Sequence, residues 1–268
     1  MNSFPRFMLA AGLSAIFLLS PVEADAETRD AAETRDAKAV AVAERSLDAM
    51  GGVEAWQGTR FIRFEFFGFR LHHWDRHTGR YRLEGKTRDG DSYVVLMDLD
   101  EREAGKAFLN GETLSGEDRE QSLKQAWSAW INDTYWLLMP YKLLDPGVHL
   151  THDGEVELDG QAYDKLKLTF DGVGLTPGDT YWAWINKETG LMDQWAYFLQ
   201  GWEEGREPTA WRWTDWQKHG DVMLSSTRKG AERDAELGKL AVFDHLPDSV
   251  FESPAAVEGE GEDKGDED

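Results

Sequence analysis

The sequence predicts a mainly β fold of the α+β class, with one antiparallel sheet and two helices. Three features indicate it: short runs of alternating apolar and polar residues, turn dipeptides between them, and two segments of helical periodicity. In the first run Ile62, Phe64 and Phe66 alternate with Arg63 and Glu65, so the large apolar side chains share one face. Similar runs recur at 80–84, 92–98, 106–109, 161–170, 179–186, 192–200, 209–217, 222–228 and 239–243. The turn signals between runs include Asp89-Gly90, Asn110-Gly111, Asp159-Gly160 and Thr189-Gly190, a spacing typical of antiparallel hairpins.

Residues 1–24 have the features of a secretory signal peptide. Arg6 supplies the positive region, 7–19 the short apolar run, and Val22-Glu23-Ala24 or Ala24-Asp25-Ala26 a small-x-small cleavage site. The run is shorter than the roughly 20 apolar residues that a membrane helix needs. The mature chain is therefore expected to be soluble and periplasmic, or alternatively extracellular. The chain has no cysteine, which excludes disulfides, thiol chemistry and a lipoprotein anchor.

The first helix follows a polar spacer. Residues 25–37 contain the hexapeptide AETRDA twice, with no large apolar residue to bury. A helix is predicted over about 38 to 50, ended by Gly51-Gly52, because apolar residues recur there at helical spacing: Val40, Ala43, Leu47 and Met50. One β domain is expected over 38–254, since no Pro/Ser-rich linker interrupts it.

A second helix interrupts the predicted strands. Residues 117–138 contain neither Gly nor Pro, and Pro140 stops the helix. Apolar and aromatic residues occur there at spacings of three and four: Leu123, Trp127, Trp130, Ile131, Thr134 and Leu138. A helix this rich in tryptophan is expected to lie against the apolar face of the sheet.

The charge of the chain restricts its partners. The formal net charge is -22, which repels phosphate backbones, so nucleic acid is not an expected partner. Part of this charge lies in the C-terminal segment 255–268, where 258–268 hold seven acidic residues and one lysine among glycines. This segment is interpreted as a disordered acidic tail.

No catalytic residue, metal or cofactor is predicted from the motifs. Signatures of serine or cysteine nucleophiles are absent from the sequence. Clustered histidines and aspartates leave a metal-dependent enzyme using the His72/His77 region as an alternative: His72, His73, Asp75, His77, His149, His152 and Asp153. Strand geometry argues against it, because His72 and His73 would point to opposite faces, and His72 to Gly79 has the composition of a hairpin tip.

Tryptophan is the main excess in the composition, with 12 in 268 residues. On successive predicted strands, aromatic pairs stand two residues apart, so each pair shares a face: Trp182 and Trp184, Trp195 and Tyr197, Trp211 and Trp213. Neighbouring strands would then form one aromatic surface. Such rings either pack as a core between sheet and helix, line a cavity for an apolar ligand, or stack on sugars.

Several longer motifs resemble a known group. The segment AERSLDAMGGVEAWQGTRFIR from Ala43 to Arg63 is similar to the opening of exported proteins related to the periplasmic lipoprotein carrier LolA. The segments WINDTYWLLMPYK from Trp130 to Lys142, TFDGVGLTPGD from Thr169 to Asp179 and FDHLPDSVF from Phe243 to Phe251 resemble an uncharacterised family near that group. The resemblance implies a curved antiparallel sheet, an unclosed half-barrel, whose concave face is covered by the helices. It implies no catalytic residues.

These observations predict a non-catalytic periplasmic carrier or sensor of an apolar ligand, a lipid or acyl chain. The residues predicted to line the site are Trp136, Trp182, Trp184, Trp195, Trp211 and Trp213. The alternative from another class is a binding module for envelope or extracellular polysaccharide. The sequence does not decide the oligomeric state.

Overall fold

A computed structural model describes residues 36–257 of the chain. The predicted signal peptide, residues 25–35 of the spacer, and residues 258–268 of the acidic tail lie outside the described residues. None of the described helices is both long and apolar enough to cross a membrane.

The helices and strands alternate much as the sequence predicts. Within residues 36–257, α-helices span Ala37–Ala49 (α1), Gly52–Gly58 (α2), Gly116–Leu138 (α3) and Ser249–Glu252 (α4), and 3-10 helices span Arg102–Ala104 and Met139–Lys142. The strands are Phe61–Phe66 (β1), Arg70–Asp75 (β2), Arg80–Lys86 (β3), Ser92–Asp98 (β4), Lys106–Leu109 (β5), Glu112–Thr113 (β6), Val148–Leu158 (β7), Gln161–Phe170 (β8), Thr180–Asn186 (β9), Met192–Phe198 (β10), Thr209–His219 (β11), Val222–Lys229 (β12) and Asp234–Phe243 (β13).

The strands form one sheet in the order β6-β5-β4-β3-β2-β1-β13-β12-β11-β10-β9-β8-β7. Since β6 and β7 are edge strands, the sheet is not closed. The predicted fold class is confirmed: a mainly β chain with an unclosed antiparallel sheet, an N-terminal helix and a central helix.

Three strands are not expected from the sequence: β2, the two-residue β6, and β7. The interpretation of His72 to Gly79 as a hairpin tip is wrong for its first half, because β2 continues to Asp75. The ring of His72 stacks on Phe64 at 4.3 Å and its Nδ1 lies 2.8 Å from the Tyr81 hydroxyl, so cross-strand packing keeps these polar residues in the sheet. β7 has buried residues only at Val148 and Leu150, and beyond Leu150 its residues alternate between exposed and half-buried.

Close contacts divide the chain into two compact units. The first comprises 59–130 and 238–257 of the described residues. In it β1 to β6 pair antiparallel in sequence order. The N-terminal half of α3 packs on this part of the sheet, with Leu123 and Ala126 buried in one cluster with Tyr81, Val95 and Met97.

The second unit comprises residues 36–58 and 131–237. Here β7 to β12 pair antiparallel in sequence order. Asp36 begins α1 by accepting a hydrogen bond from the backbone N–H of Lys38 at 2.8 Å. The buried Tyr141 hydroxyl lies 3.0 Å from the carbonyl oxygen of Met50 and 2.8 Å from that of Met223, which ties the end of α1 to β12.

Candidate functional site

The candidate site lies in the second unit, on the sheet face formed by β9, β10 and β11. Antiparallel register places Trp195 opposite Ala183 on one side and opposite Trp211 on the other. Because side chains alternate along a strand, Tyr197 and Trp213 lie on this same face. The three strands are neighbours, as one aromatic surface requires, and the aromatic pairs on β10 and β11 share this face.

The prediction of a single aromatic surface is wrong for β9. Trp182 and Trp184 alternate with Ala183 and Ile185, which are both fully buried, so the two tryptophans lie on the opposite face of the sheet. There they are half-buried, with Lys165 Nζ 5.7 Å from the ring of Trp182 and 5.2 Å from that of Trp184. Two aromatic residues that stand two positions apart in a strand lie on the same face, but their spacing does not show which face of the sheet is buried.

The C-terminal half of α3 places further rings on the inner face. Trp136 makes edge contacts with Trp195 and Trp211 at centroid distances of 4.8 and 5.4 Å. Tyr135 lies 5.9 Å from Trp195 and 5.3 Å from Tyr181. We call the following seven residues the ring layer: Tyr135, Trp136, Tyr181, Trp195, Tyr197, Trp211 and Trp213. Its rings pack against one another between helix and sheet, in the edge and tilted geometries that aromatic pairs prefer.

Three indoles of the ring layer have an unusual polar environment. The Nε1 atoms of Trp195, Trp211 and Trp213 are buried and have no acceptor among the described residues. By contrast, Trp216 at the margin of the same cluster donates its Nε1 hydrogen to the carbonyl oxygen of Met192 at 3.2 Å. Buried polar groups are nearly always hydrogen-bonded, so three unpaired donors in one cluster require an explanation.

Arg228 on β12 is a member of the site that sequence reasoning missed. It is fully buried, and its guanidinium carbon lies 3.4 Å from the centroid of Trp213, its register partner on β11. The signal was present, since Arg228 has the same strand parity as the buried Val222 and Leu224. A cation at a core position of a strand is a rare residue choice.

Burial is the main cause of the pKa shifts of the ionisable groups in the ring layer and at Arg228. Burial lowers the pKa of Arg228 from its ordinary value, because the charged form loses its hydration. Burial also raises the pKa of Tyr135 and of Tyr181, and the carboxylate of Asp179 raises that of Tyr181 further. Both phenols are therefore neutral at physiological pH, and the site combines apolar rings with one cation.

The histidine clusters do not assemble into a metal centre in the described part of the chain. Asp75 binds Arg60 and Arg80, each at 3.0 Å. Nε2 of His152 lies 3.0 Å from Asp164, and Arg45 binds the same carboxylate. No three His, Asp or Glu side chains of residues 36–257 form a possible metal-binding group.

A groove of about 410 Å³ lies elsewhere in the second unit, along α1. It is lined by five charged residues and two apolar ones: Lys38, Arg45, Glu155, Asp164, Lys187, Ala41 and Val42. Their charges form ion pairs, such as Lys38–Glu155 at 2.9 Å and Arg45–Asp164 at 2.8 Å. Because charged residues outnumber apolar ones in its lining, the groove suits an apolar ligand less well than the ring layer does.

Comparison with known proteins gives fold-level similarity. No family model matches the sequence, and no curated protein gives a significant match. One similar solved structure is a LolA superfamily protein from Nitrosomonas europaea, 12% identical, with a TM-score of 0.43 over 80% of this chain and 96% of that one. Another is a DUF1329 family protein from Desulfovibrio piger, 12% identical, with a TM-score of 0.39 over 80% of this chain and 97% of that one. A LolA superfamily protein is thus among the solved structures that this chain is similar to.

Proposed function

We propose that this protein is an exported, periplasmic carrier or sensor that holds a lipid or other acyl-chain ligand at the ring layer. The observation that supports the proposal is the group of three buried indole N–H groups, on Trp195, Trp211 and Trp213, without acceptors. Each such donor costs about 1–3 kcal/mol of stability. A ligand with an acyl chain and ester or acid oxygens offers both apolar contact and the missing acceptors.

Binding would exchange ring contacts for ligand contacts. An acyl chain gains about 0.8 kcal/mol for each CH₂ removed from water. Because the ring of Trp136 packs on that of Trp195 at 4.8 Å, an acyl chain would have to enter between the end of α3 and the sheet. The unpaired indole N–H groups lower the free-energy cost of separating the rings, because the ring packing without ligand offers these donors no acceptor.

The direct test is lipid content and lipid binding. Protein purified from its native host compartment is extracted with organic solvent, and the extract is analysed by mass spectrometry. Delipidated protein is then titrated with oleic acid by isothermal titration calorimetry. We expect co-purified lipid and saturable binding that weakens about tenfold in Trp136→Leu, which removes a ring on the helix side of the layer.

Trp182→Leu is the matched control, because Trp182 lies on the opposite sheet face. It should bind oleic acid as the unchanged protein does. Absence of extractable lipid together with absence of a calorimetric signal would remove the proposal. Equal weakening by both substitutions would show that the effect is not located at the ring layer.

Glycan binding is a second candidate, favoured by the position of Trp182 and Trp184. Both rings are half-buried on the face away from the ring layer, beside Lys165, and aromatic rings with polar neighbours suit sugar stacking. Trp211 is only 9% exposed and does not suit that role. Retention on immobilised polysaccharide, lost in Trp184→Ala and kept in Trp211→Phe, would support this function over the first.

A further inference from the structure

Arg228 is a buried cation without a counter-ion. Its relative exposure is 0%, and no carboxylate of residues 36–257 lies within salt-bridge distance of its guanidinium. Arg82, a second fully buried arginine among the described residues, has such a partner, because its Nε lies 2.5 Å from Glu84. The chain has 51 acidic residues against 29 basic ones, so the lack of an acid at Arg228 is not due to a shortage of acids.

The hydrogen bonds of Arg228 satisfy most of its donors with neutral groups. Nε and Nη2 donate to the carbonyl oxygen of Trp136 at 3.2 and 2.6 Å. Nη1 donates to the Ser225 hydroxyl at 2.8 Å and to the carbonyl oxygen of Thr227 at 3.0 Å. Nη2 carries a second N–H, which has no acceptor among the described residues. One donor of the fork is thus free to bind a further oxygen.

We propose that the ligand of the ring layer is an amphiphile with an anionic head group, a carboxylate or a phosphate, and that Arg228 binds this head group. The inference rests on the proposed function and names its ligand class. A buried charge is costly unless an opposite charge accompanies it, and guanidinium is the side chain best suited to carboxylate and phosphate oxygens. The stacked ring of Trp213 provides apolar contact beside that cation. The indole N–H groups of Trp195, Trp211 and Trp213, all in the ring layer, offer further donors.

A structural role alone makes a different prediction. If Arg228 only joins the last turn of α3 to β12 through the carbonyl oxygen of Trp136, the ring layer has no reason to distinguish a charged head group from a neutral one. The net charge of -22 would even favour the neutral ligand, because it repels anions from the whole surface. A preference for the anion therefore has to come from a local cation.

The experiment compares two ligands that share one chain. Oleate and oleyl alcohol are titrated into the delipidated protein at neutral pH by calorimetry. We expect oleate to bind about tenfold to a hundredfold more tightly, the size of a charge-assisted pair removed from water. Dodecanoate and dodecyl phosphate, compared in the same way with dodecanol, show whether carboxylate or phosphate is the better head group.

Substitutions then locate the preference. Arg228→Met should abolish it by weakening oleate while oleyl alcohol binds as before, and Arg228→Lys should retain part of it. Arg212→Met is the matched control, because Arg212 lies on β11 beside Trp213, points to the opposite face, and pairs with Asp159 at 3.1 Å. The Arg212→Met protein should keep the full preference.

The possible results separate the head-group inference from the proposed function. Equal affinity for oleate and oleyl alcohol would overturn the inference and leave the proposed function standing. Failure of both ligands to bind would remove the inference and the proposed function together. Should Arg228→Met fail to fold, the head-group preference of the unchanged protein and its reduction in Arg228→Lys still decide the inference. A preference that survives intact in a folded Arg228→Met protein would overturn it.

Discussion

Replacing Trp195 by phenylalanine is expected to cost far less stability than the burial of the indole implies. Trp195 is 1% exposed, and its ring lies 4.8 Å from that of Trp136 and 5.6 Å from that of Trp213. Truncating such a ring to alanine costs about 3–5 kcal/mol. However, the indole N–H of Trp195 is buried without an acceptor. Either substitution removes that penalty of about 1–3 kcal/mol.

The two substitutions should therefore differ. Trp195→Ala loses most ring contacts and is expected to lower the unfolding free energy by about 2–3 kcal/mol. Trp195→Phe keeps a ring in the layer and leaves a smaller void worth about 1 kcal/mol, which the lost penalty offsets. Its net effect should lie between no change and a stabilisation of about 2 kcal/mol.

Urea unfolding followed by circular dichroism measures both values, with Trp216→Phe as the control. Trp216 donates its Nε1 hydrogen to Met192 at 3.2 Å, so its replacement loses a satisfied hydrogen bond and should cost about 1–2 kcal/mol. If Trp195→Phe costs as much as this control or more, the Trp195 N–H has an acceptor in solution, and the reasoning on unpaired indoles is refuted.

Three further substitutions test individual contacts. Tyr141→Phe removes the hydroxyl that donates to the carbonyl oxygens of Met50 and Met223. The substitution should lower the unfolding free energy by about 1–2 kcal/mol in urea unfolding. Gly51→Ala should cost about 2 kcal/mol or more in the same assay, because its φ is +114° and an added Cβ would collide with a backbone oxygen. Burial would raise the pKa of Asp75, but hydrogen bonds from Arg60 and Arg80 hold that pKa below its ordinary value. The stability it contributes is thus present above the unfolded pKa of about 4 and is lost as pH falls. Asp75→Asn should lower the melting temperature at neutral pH. The melting temperature of this variant should then fall less on acidification than that of the unchanged protein.

The strands were predictable where one face is apolar and the other polar. β1 shows this alternation clearly, and its bounds differ from the prediction by one residue. β2 does not, because Leu71, His72 and His73 are all buried. A strand buried on both faces loses the period of two, and histidine is not a strong indicator of burial. The sequence therefore predicts a turn over part of β2.

The site was only partly predictable, for two physical reasons. Trp182 and Trp195 belong to equivalent pairs in the sequence, yet only Trp195 faces α3, because face assignment depends on register with neighbouring strands. Arg228 was missed because burial of an arginine depends on acceptors that come from elsewhere in the chain. One of these is the carbonyl oxygen of Trp136, 92 residues away in sequence.

The net charge of the chain and the charge of Arg228 act on an anionic ligand at different distances. The excess of acidic residues repels an anion in solvent, and salt screens that repulsion beyond about 8–10 Å at physiological ionic strength. Arg228 is buried, so its attraction is little screened and operates only after the ligand has entered the ring layer. Surface charge mainly affects association rates, whereas a buried pair mainly affects dissociation. Selection of anionic head groups by Arg228 should thus appear as slower dissociation of oleate than of oleyl alcohol, with association no faster for the anion.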